Sequence, residues 1–283
     1  MIRLSRAQTV LAAIGAASVL TACATVPATT TPGPTPTGKP CATSADDGLC
    51  PAPRHDYSYP ADTLSNGRNL YLANNIWNHR ALPSATQTMT AYDPGNWSVT
   101  ANMTAGNTAV ISGPEVRQDL NGAPVPLGNY HQVTSSFAEN QNPGPGTRSE
   151  FGYDIWTSTS AGNLFAQELM IWPDSVNRGT CGGATPVASK VQFGGRNGVP
   201  VQAWDLCVNG PKQPGSEYIW YLPASKNERS GSVDILSMLQ WMVAHGYYPA
   251  GSGVSQIDAG FEICSTGGVP ENFRVSRFTL TAN

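Results

Sequence analysis

The chain has 283 residues, of which only 12% are charged, and a formal net charge of −3. So sparse and slightly acidic a balance leaves no basic stripe for phosphates, which excludes a nucleic-acid binder. With 29 Gly and 23 Pro the chain is rich in turn residues, and its few charges beside its aromatics suit a neutral, polar ligand such as a polysaccharide.

Residues 1–23 read as a targeting segment. Arg3 and Arg6 make a positive start, and the apolar run at 10–20 is too short to stay in a bilayer as a helix. It ends in Leu20-Thr21-Ala22-Cys23, which resembles a bacterial lipobox and implies acylation of Cys23; a plain secretory signal cut nearby is the alternative. Either reading places the mature protein outside the cytoplasm, lipid-anchored to the cell membrane or secreted. Residues 24–54 are dominated by Thr, Pro, Ala and Gly, which bury too little apolar surface to offset chain entropy, so an extended linker is expected. Residues 55–283 then form a single domain, expected to be a monomer.

Six cysteines in an exported chain are disulfide candidates. With Cys23 lipidated, five remain, and sequence alone leaves their pairing open. The leading expectation joins Cys41 to Cys50 and Cys181 to Cys207, leaving Cys264 free or packed as a small hydrophobe.

Within the domain, short alternating runs separated by turn residues recur at 99–103, 132–137, 153–157, 166–172, 201–208, 218–222, 256–264 and 273–280, the pattern of an all-β sandwich rather than of βαβ units. One helix interrupts them at 234–245, where Ile235, Leu239, Met242 and Val243 recur at helical spacing. Asp234 suits its N-cap and Gly246 its C-terminal stop.

Two strands carry carboxylates where apolar residues would be expected. In Glu168-Leu169-Met170-Ile171-Trp172, alternation puts Glu168, Met170 and Trp172 on one face. A carboxylate between a thioether and an indole is costly unless paired or lining a cleft, and a cleft floored by aromatics suits a sugar. In the 257–264 run, Ile257, Ala259, Phe261 and Ile263 share the core face, so Glu262 projects outward over Gly260, which is expected to leave open space for substrate. Asp258, on the same face, reads as solvated or supporting. His79, His131 and His245 lack metal-ligand spacing, so neither a metal nor a cofactor is expected.

Glu168-Leu169-Met170-Ile171-Trp172, Gly260-Phe261-Glu262-Ile263, Asn74-Asn75-Ile76-Trp77 and Tyr153-Asp154-Ile155-Trp156, in that family's order and with the helix just upstream of Glu262, resemble glycoside hydrolase family 12, the jelly-roll endoglucanases and xyloglucanases. The resemblance implies a two-sheet antiparallel jelly roll with one packed α-helix. It implies retaining endo-hydrolysis of β-1,4-glucosidic bonds in a β-glucan, with Glu168 as nucleophile, Glu262 as general acid and base, and Asp154 as the accessory carboxylate. Asn75, Trp77, Met170 and Trp172 would line the donor side of the cleft, the two tryptophans stacking on glucose rings. Trp97, Trp156, Trp204, Trp220 and Trp241 are left to packing. Asn78 and Cys264 depart from the family's usual residues, and both are expected to border the cleft. A non-catalytic carbohydrate-binding lipoprotein of the same fold is the competing reading, and a family 11 xylanase fits the motifs less well.

Overall fold

The computed structural model describes residues 40–42, 58–59, 70–82, 84–119, 124–158, 167–209 and 219–283. The targeting segment, the rest of the linker, Cys23 and the Cys41–Cys50 bridge lie outside the described residues, but Pro40–Ala42, inside the expected linker, forms a strand paired with residues 88–90. In chain order the strands are β1 (Pro40–Ala42), β2 (Ser58–Tyr59), β3 (Leu70–Ala73), β4 (Thr86–Asp93), β5 (Asn96–Asn102), β6 (Glu115–Asp119), β7 (Val125–Pro126), β8 (Val133–Asn140), β9 (Thr147–Ser158), β10 (Gln167–Val176), β11 (Thr185–Phe193), β12 (Gln202–Asn209), β13 (Ile219–Pro223), β14 (Ser230–Asp234), β15 (Gly253–Thr266) and β16 (Glu271–Ala282), with helix α1 (Ile235–Ala244) between β14 and β15.

The strands form two sheets. The smaller runs β1-β4-β5-β16-β8-β14, and the larger runs β11-β12-β13-β10-β9-β15-β6-β3-β2, with β7 beside β15. Pairing is antiparallel except between β10 and β13, which run parallel, a departure from the all-antiparallel expectation. The expected two-sheet jelly roll with one packed helix is otherwise what the chain forms.

The core lies between the sheets, and strand alternation decides what enters it. On β9, Phe151, Tyr153 and Ile155 are fully buried; on β10, Leu169 and Ile171; on β15, Ile257, Ala259, Phe261 and Ile263. Trp97 meets Phe261 edge-on at 5.7 Å between ring centroids, and Phe261 in turn meets Phe151 at 5.4 Å, tying β5 of the small sheet to β15 and β9 of the large one. Because these residues fix the register, the opposite faces of β9, β10 and β15 are committed to the other side of the sheet.

The helix begins where Asp234 Oδ1 accepts a hydrogen bond from the Ser237 amide at 3.0 Å, an N-cap of the kind worth about 1 kcal/mol. It stops before Gly246, whose φ of 72° is the left-handed conformation a glycine adopts without steric cost. Ile235, Leu239 and Met242 bury its apolar stripe.

Candidate active site

Three neighbouring strands of the large sheet supply the acidic groups. On β9 the face away from the core carries Glu150, Gly152, Asp154 and Trp156. Opposite it on β10, Glu168 pairs with Trp156 and Met170 with Asp154; on β15, Asp258 pairs with Asp154, Gly260 with Gly152, and Glu262 with Glu150. Glu168 and Glu262 therefore lie on the same face of the sheet, either side of the strand that holds Asp154. A cleft on this face is lined by Glu115, Glu150, Asp154, Met170, Trp172, Asp258 and Glu262, among others.

The expected catalytic carboxyls are thus gathered on one surface. Glu168 is buried, with Glu262 and Asp154 more open. Burial, reinforced by the charges of Glu262 and Glu115, pushes the Glu168 carboxyl up to about 8. Asp154 is likewise held well above the usual carboxylate range, first by desolvation and then by Glu168 and Glu262. Clustered carboxyls that cannot all ionise together are what acid–base chemistry on a glycosidic bond needs, since one must give a proton while another stays charged.

Asn75 lies beside this cluster, its Nδ2 donating to Glu115 Oε1 at 3.4 Å. Trp77 is 50% exposed, with its indole near Gly113 on the cleft rim, so it offers an open aromatic face. Met170 is buried in the cleft wall.

Trp172 differs from expectation. It is only 1% exposed, lies over Gly152, is covered by Gly182, and packs against Tyr221 at 4.9 Å between centroids. It is a wall rather than an open stacking platform, because the 178–184 loop folds down on its ring. Gly260 also departs from the reading. A Cβ there would sit 2.0 Å from the Pro114 carbonyl oxygen, so the glycine serves close approach of β15 to the chain entering β6 rather than opening space for substrate. Asn78 Nδ2 donates to the Val110 carbonyl at 2.7 Å, bracing the chain next to Trp77. Asp258 is buried rather than solvated, 3.6 Å from Arg117.

The Cys181–Cys207 bridge forms as expected, and Cys264 is free and buried. Cys264 borders a charged group that alternation alone did not disclose. Arg178, from the loop after β10, reaches Glu150 Oε2 at 2.7 Å and Glu262 Oε2 at 3.2 Å, and donates from Nη1 to Cys264 Sγ at 2.6 Å. Glu150 and Trp156 were legible in principle, since they share the Asp154 face at even spacing. Arg178 and Tyr221 carried no such signal, because only folding brings them to the cleft.

No family model matches the chain. Among curated proteins it is 26% identical over 220 residues to the xyloglucan-specific endo-beta-1,4-glucanase A of Emericella nidulans, covering 74% of this chain and 84% of that one. It is 24% identical to the xyloglucan-specific endo-beta-1,4-glucanase 1 of Phytophthora sojae, covering 76% and 87%. Among solved structures it is similar to the xyloglucanase domain of NopAA from Sinorhizobium fredii in complex with cellobiose, with a TM-score of 0.61, 24% identity, and coverage of 80% of this chain and 97% of that one. The native family 12 xyloglucanase from Bacillus licheniformis gives a TM-score of 0.61 at 17% identity, over 80% and 99%. The fold is that of family 12 glycoside hydrolases. With its relatives and the paired carboxyls, the chain is an endoglucanase-like glycoside hydrolase.

Proposed function

We propose that the protein is a retaining endo-β-1,4-glucanase that cuts a β-glucan, xyloglucan foremost, outside the cytoplasm. The observation that carries the reading is the placement of Glu168 and Glu262 on one face of the sheet across the strand that holds Asp154. In this mechanism the Glu168 carboxylate attacks the anomeric carbon while the Glu262 carboxylic acid gives its proton to the departing oxygen. Glu262, now ionised, then takes a proton from water, which displaces Glu168 with a second inversion and restores both groups. Two carboxyls about 5 Å apart around the scissile bond suit this double displacement. Asp154, between them, steadies Glu168.

Xyloglucan is favoured because the curated relatives in both organisms are named for it. Trp77 supplies an aromatic face for a sugar ring at one end of the cleft. The same reading has Cys23 acylated and residues 24–54 holding the catalytic domain off the membrane as a monomer.

The test is reducing-sugar release from xyloglucan, mixed-linkage β-glucan and carboxymethyl cellulose by residues 41–283, beside Glu168→Gln and Glu262→Gln. Activity on xyloglucan above the others, lost in both variants, is expected, with the newly formed ends first seen by NMR as the β-anomer. Glucan binding without turnover by the wild type would instead make the protein a carbohydrate-binding lipoprotein. Radiolabelled palmitate incorporation that disappears in Cys23→Ala checks the anchor.

A further inference from the structure

Arg178 is a buried guanidinium, 8% exposed, whose Nη1 and Nη2 donate to Cys264 and Glu262 while Nε lies in ion contact with Glu150, out of line for a hydrogen bond. Its Cζ lies over the Trp172 indole, 5.2 Å from the ring centroid. Burying a charge so fully is costly, and is sustained only where fixed partners replace water. Here the partners are Glu150, Glu262 and Cys264. Glu150 is itself completely buried and stands directly opposite Glu262 across the β9–β15 ladder.

The loop that delivers Arg178 is built to hold it. Asn177 and Gly179 flank the arginine with φ of 55° and 71°, turning the backbone back toward the cleft at both sides. Asn177 Nδ2 donates to the Thr147 carbonyl at 2.7 Å, which ties the loop to the start of β9. Three residues after the arginine, Cys181 is bonded to Cys207 on β12. The reach of the guanidinium to Glu262 is therefore anchored at both ends rather than being a chance surface contact.

Glu262 is faced by Glu150 and Asp154 from β9, by Glu168 from β10, by the Tyr221 phenol from β13, and by Arg178 from the loop. Arg178 is the cation among these. A guanidinium shared between two carboxyls stabilises whichever of them is ionised, so Glu150 and Glu262 compete for it. An acid/base group must be protonated for the first step and ionised for the second.

We propose that Arg178 and Glu150 form a positioning unit that holds the Glu262 carboxyl in place for its acid/base step. This rests on the retaining glucanase reading and adds to it a control on the acid/base step. Arg178 is a positioning residue, acting through Glu262.

The experiment is the pH profile of kcat/KM on xyloglucan for wild type, Arg178→Met, Arg178→Lys and Glu150→Gln, with the melting temperature of each. The alkaline limb of kcat/KM reports loss of the acid's proton in the free enzyme. Removing a cation this close to a carboxyl raises the carboxyl's proton affinity, so Arg178→Met is expected to move that limb up by about one pH unit. Arg178→Lys, which keeps the charge, returns it toward the wild-type position. Glu150→Gln leaves Arg178 undivided on Glu262 and moves the limb down. A purely structural ion pair would lower the melting temperature in all three variants and leave the limb where it is, and that result overturns the proposal. If Arg178→Met does not fold, Glu150→Gln decides by itself, its limb moving down under the proposal and staying in place for a purely structural ion pair. A wild type inactive on every glucan sinks the hydrolase reading and this inference with it, whereas an active wild type with unmoved limbs in Arg178→Met and Glu150→Gln sinks the inference alone.

Discussion

Asp154 and Asp258 pair directly across the β9–β15 ladder, so two carboxyls sit side by side on the cleft floor, one strand over from Glu168. Asp258 is neutralised by Arg117, 3.6 Å away, which also holds Glu115 through a hydrogen bond from Nε at 3.0 Å. Asp154 is held instead among acidic groups, with Glu168 and Glu262 both raising its proton affinity. The division is physical. One aspartate has a cation beside it, and the other lies desolvated among carboxyls that raise its proton affinity.

Asp154→Asn should therefore keep the hydrogen-bonding shape and lose the titration. Because a small misplacement of a reacting group costs on the order of 10²-fold, kcat on xyloglucan should drop by up to that factor while KM changes little. The melting temperature should hold or rise, since a carboxyl disfavoured by its surroundings is gone. Steady-state kinetics and calorimetry on the same preparation check this, and a raised KM with unchanged kcat would contradict it.

Glu168→Gln should abolish hydrolysis and stabilise the fold. The folded-state proton affinity of Glu168 corresponds to about 8, above the ordinary carboxylate value. Between the unfolded and folded values the native state binds more protons than the unfolded one, so stability contributed by the protonated group is full at low pH and is lost as pH rises toward about 8. At pH 7 the variant should gain roughly 3 kcal/mol over wild type, and at pH 4 almost nothing. Urea unfolding at the two pH values measures the difference.

The same titration sets the acid side of the rate profile. The nucleophile must be ionised, so kcat/KM should rise with pH toward the neutral-to-alkaline range where Glu168 loses its proton. Glu115 is one of the charges raising it. Glu115→Gln should move the acid limb to lower pH, and an acid limb at the ordinary carboxylate value in the wild type would contradict the burial of Glu168.

Trp77 and Trp172 should separate binding from folding. Trp77 is 50% exposed, so Trp77→Ala is expected to raise KM for xyloglucan with little change in melting temperature. Trp172 is enclosed by Gly152, Gly182, Tyr221 and Arg178, so Trp172→Ala should cost about 3–5 kcal/mol of stability and lower activity through the collapsed wall. Equal loss of stability in both variants would contradict the placement of Trp77.

Away from the cleft, Glu139 is buried and its carboxyl is held well above the usual range, by desolvation first and then by Asp174, against a smaller pull from Arg229. The sign is that of Glu168, with stability present at low pH and lost as pH climbs above the ordinary glutamate value. Glu139→Gln should therefore raise the melting temperature more at pH 8 than at pH 5, and with activity retained it separates this pair from the catalytic cluster. Thermal melts across that interval check it.

Much of this was legible in the chain itself. Alternation on β9, β10 and β15 placed Ile257, Ala259, Phe261 and Ile263 in the core and turned Glu168 and Glu262 outward, because side chains in a strand repeat every two residues whatever the fold around them. The helix was legible to within a residue or two, because Asp234 and Gly246 cap it locally. Strand β11 was not. It is an edge strand, largely exposed, with Pro186 and a left-handed Lys190 breaking its alternation. What the sequence by itself determined was therefore whatever depends on neighbours in the chain: strand faces, caps and the identity of the acidic groups. Only the tertiary structure decided that Arg178 comes to lie between Glu150 and Glu262, that Trp172 is roofed over, and that Gly260 is demanded by Pro114. Each of those contacts joins residues distant in sequence, and their chemistry exists only once the sheet has folded and the Cys181–Cys207 loop has closed over it.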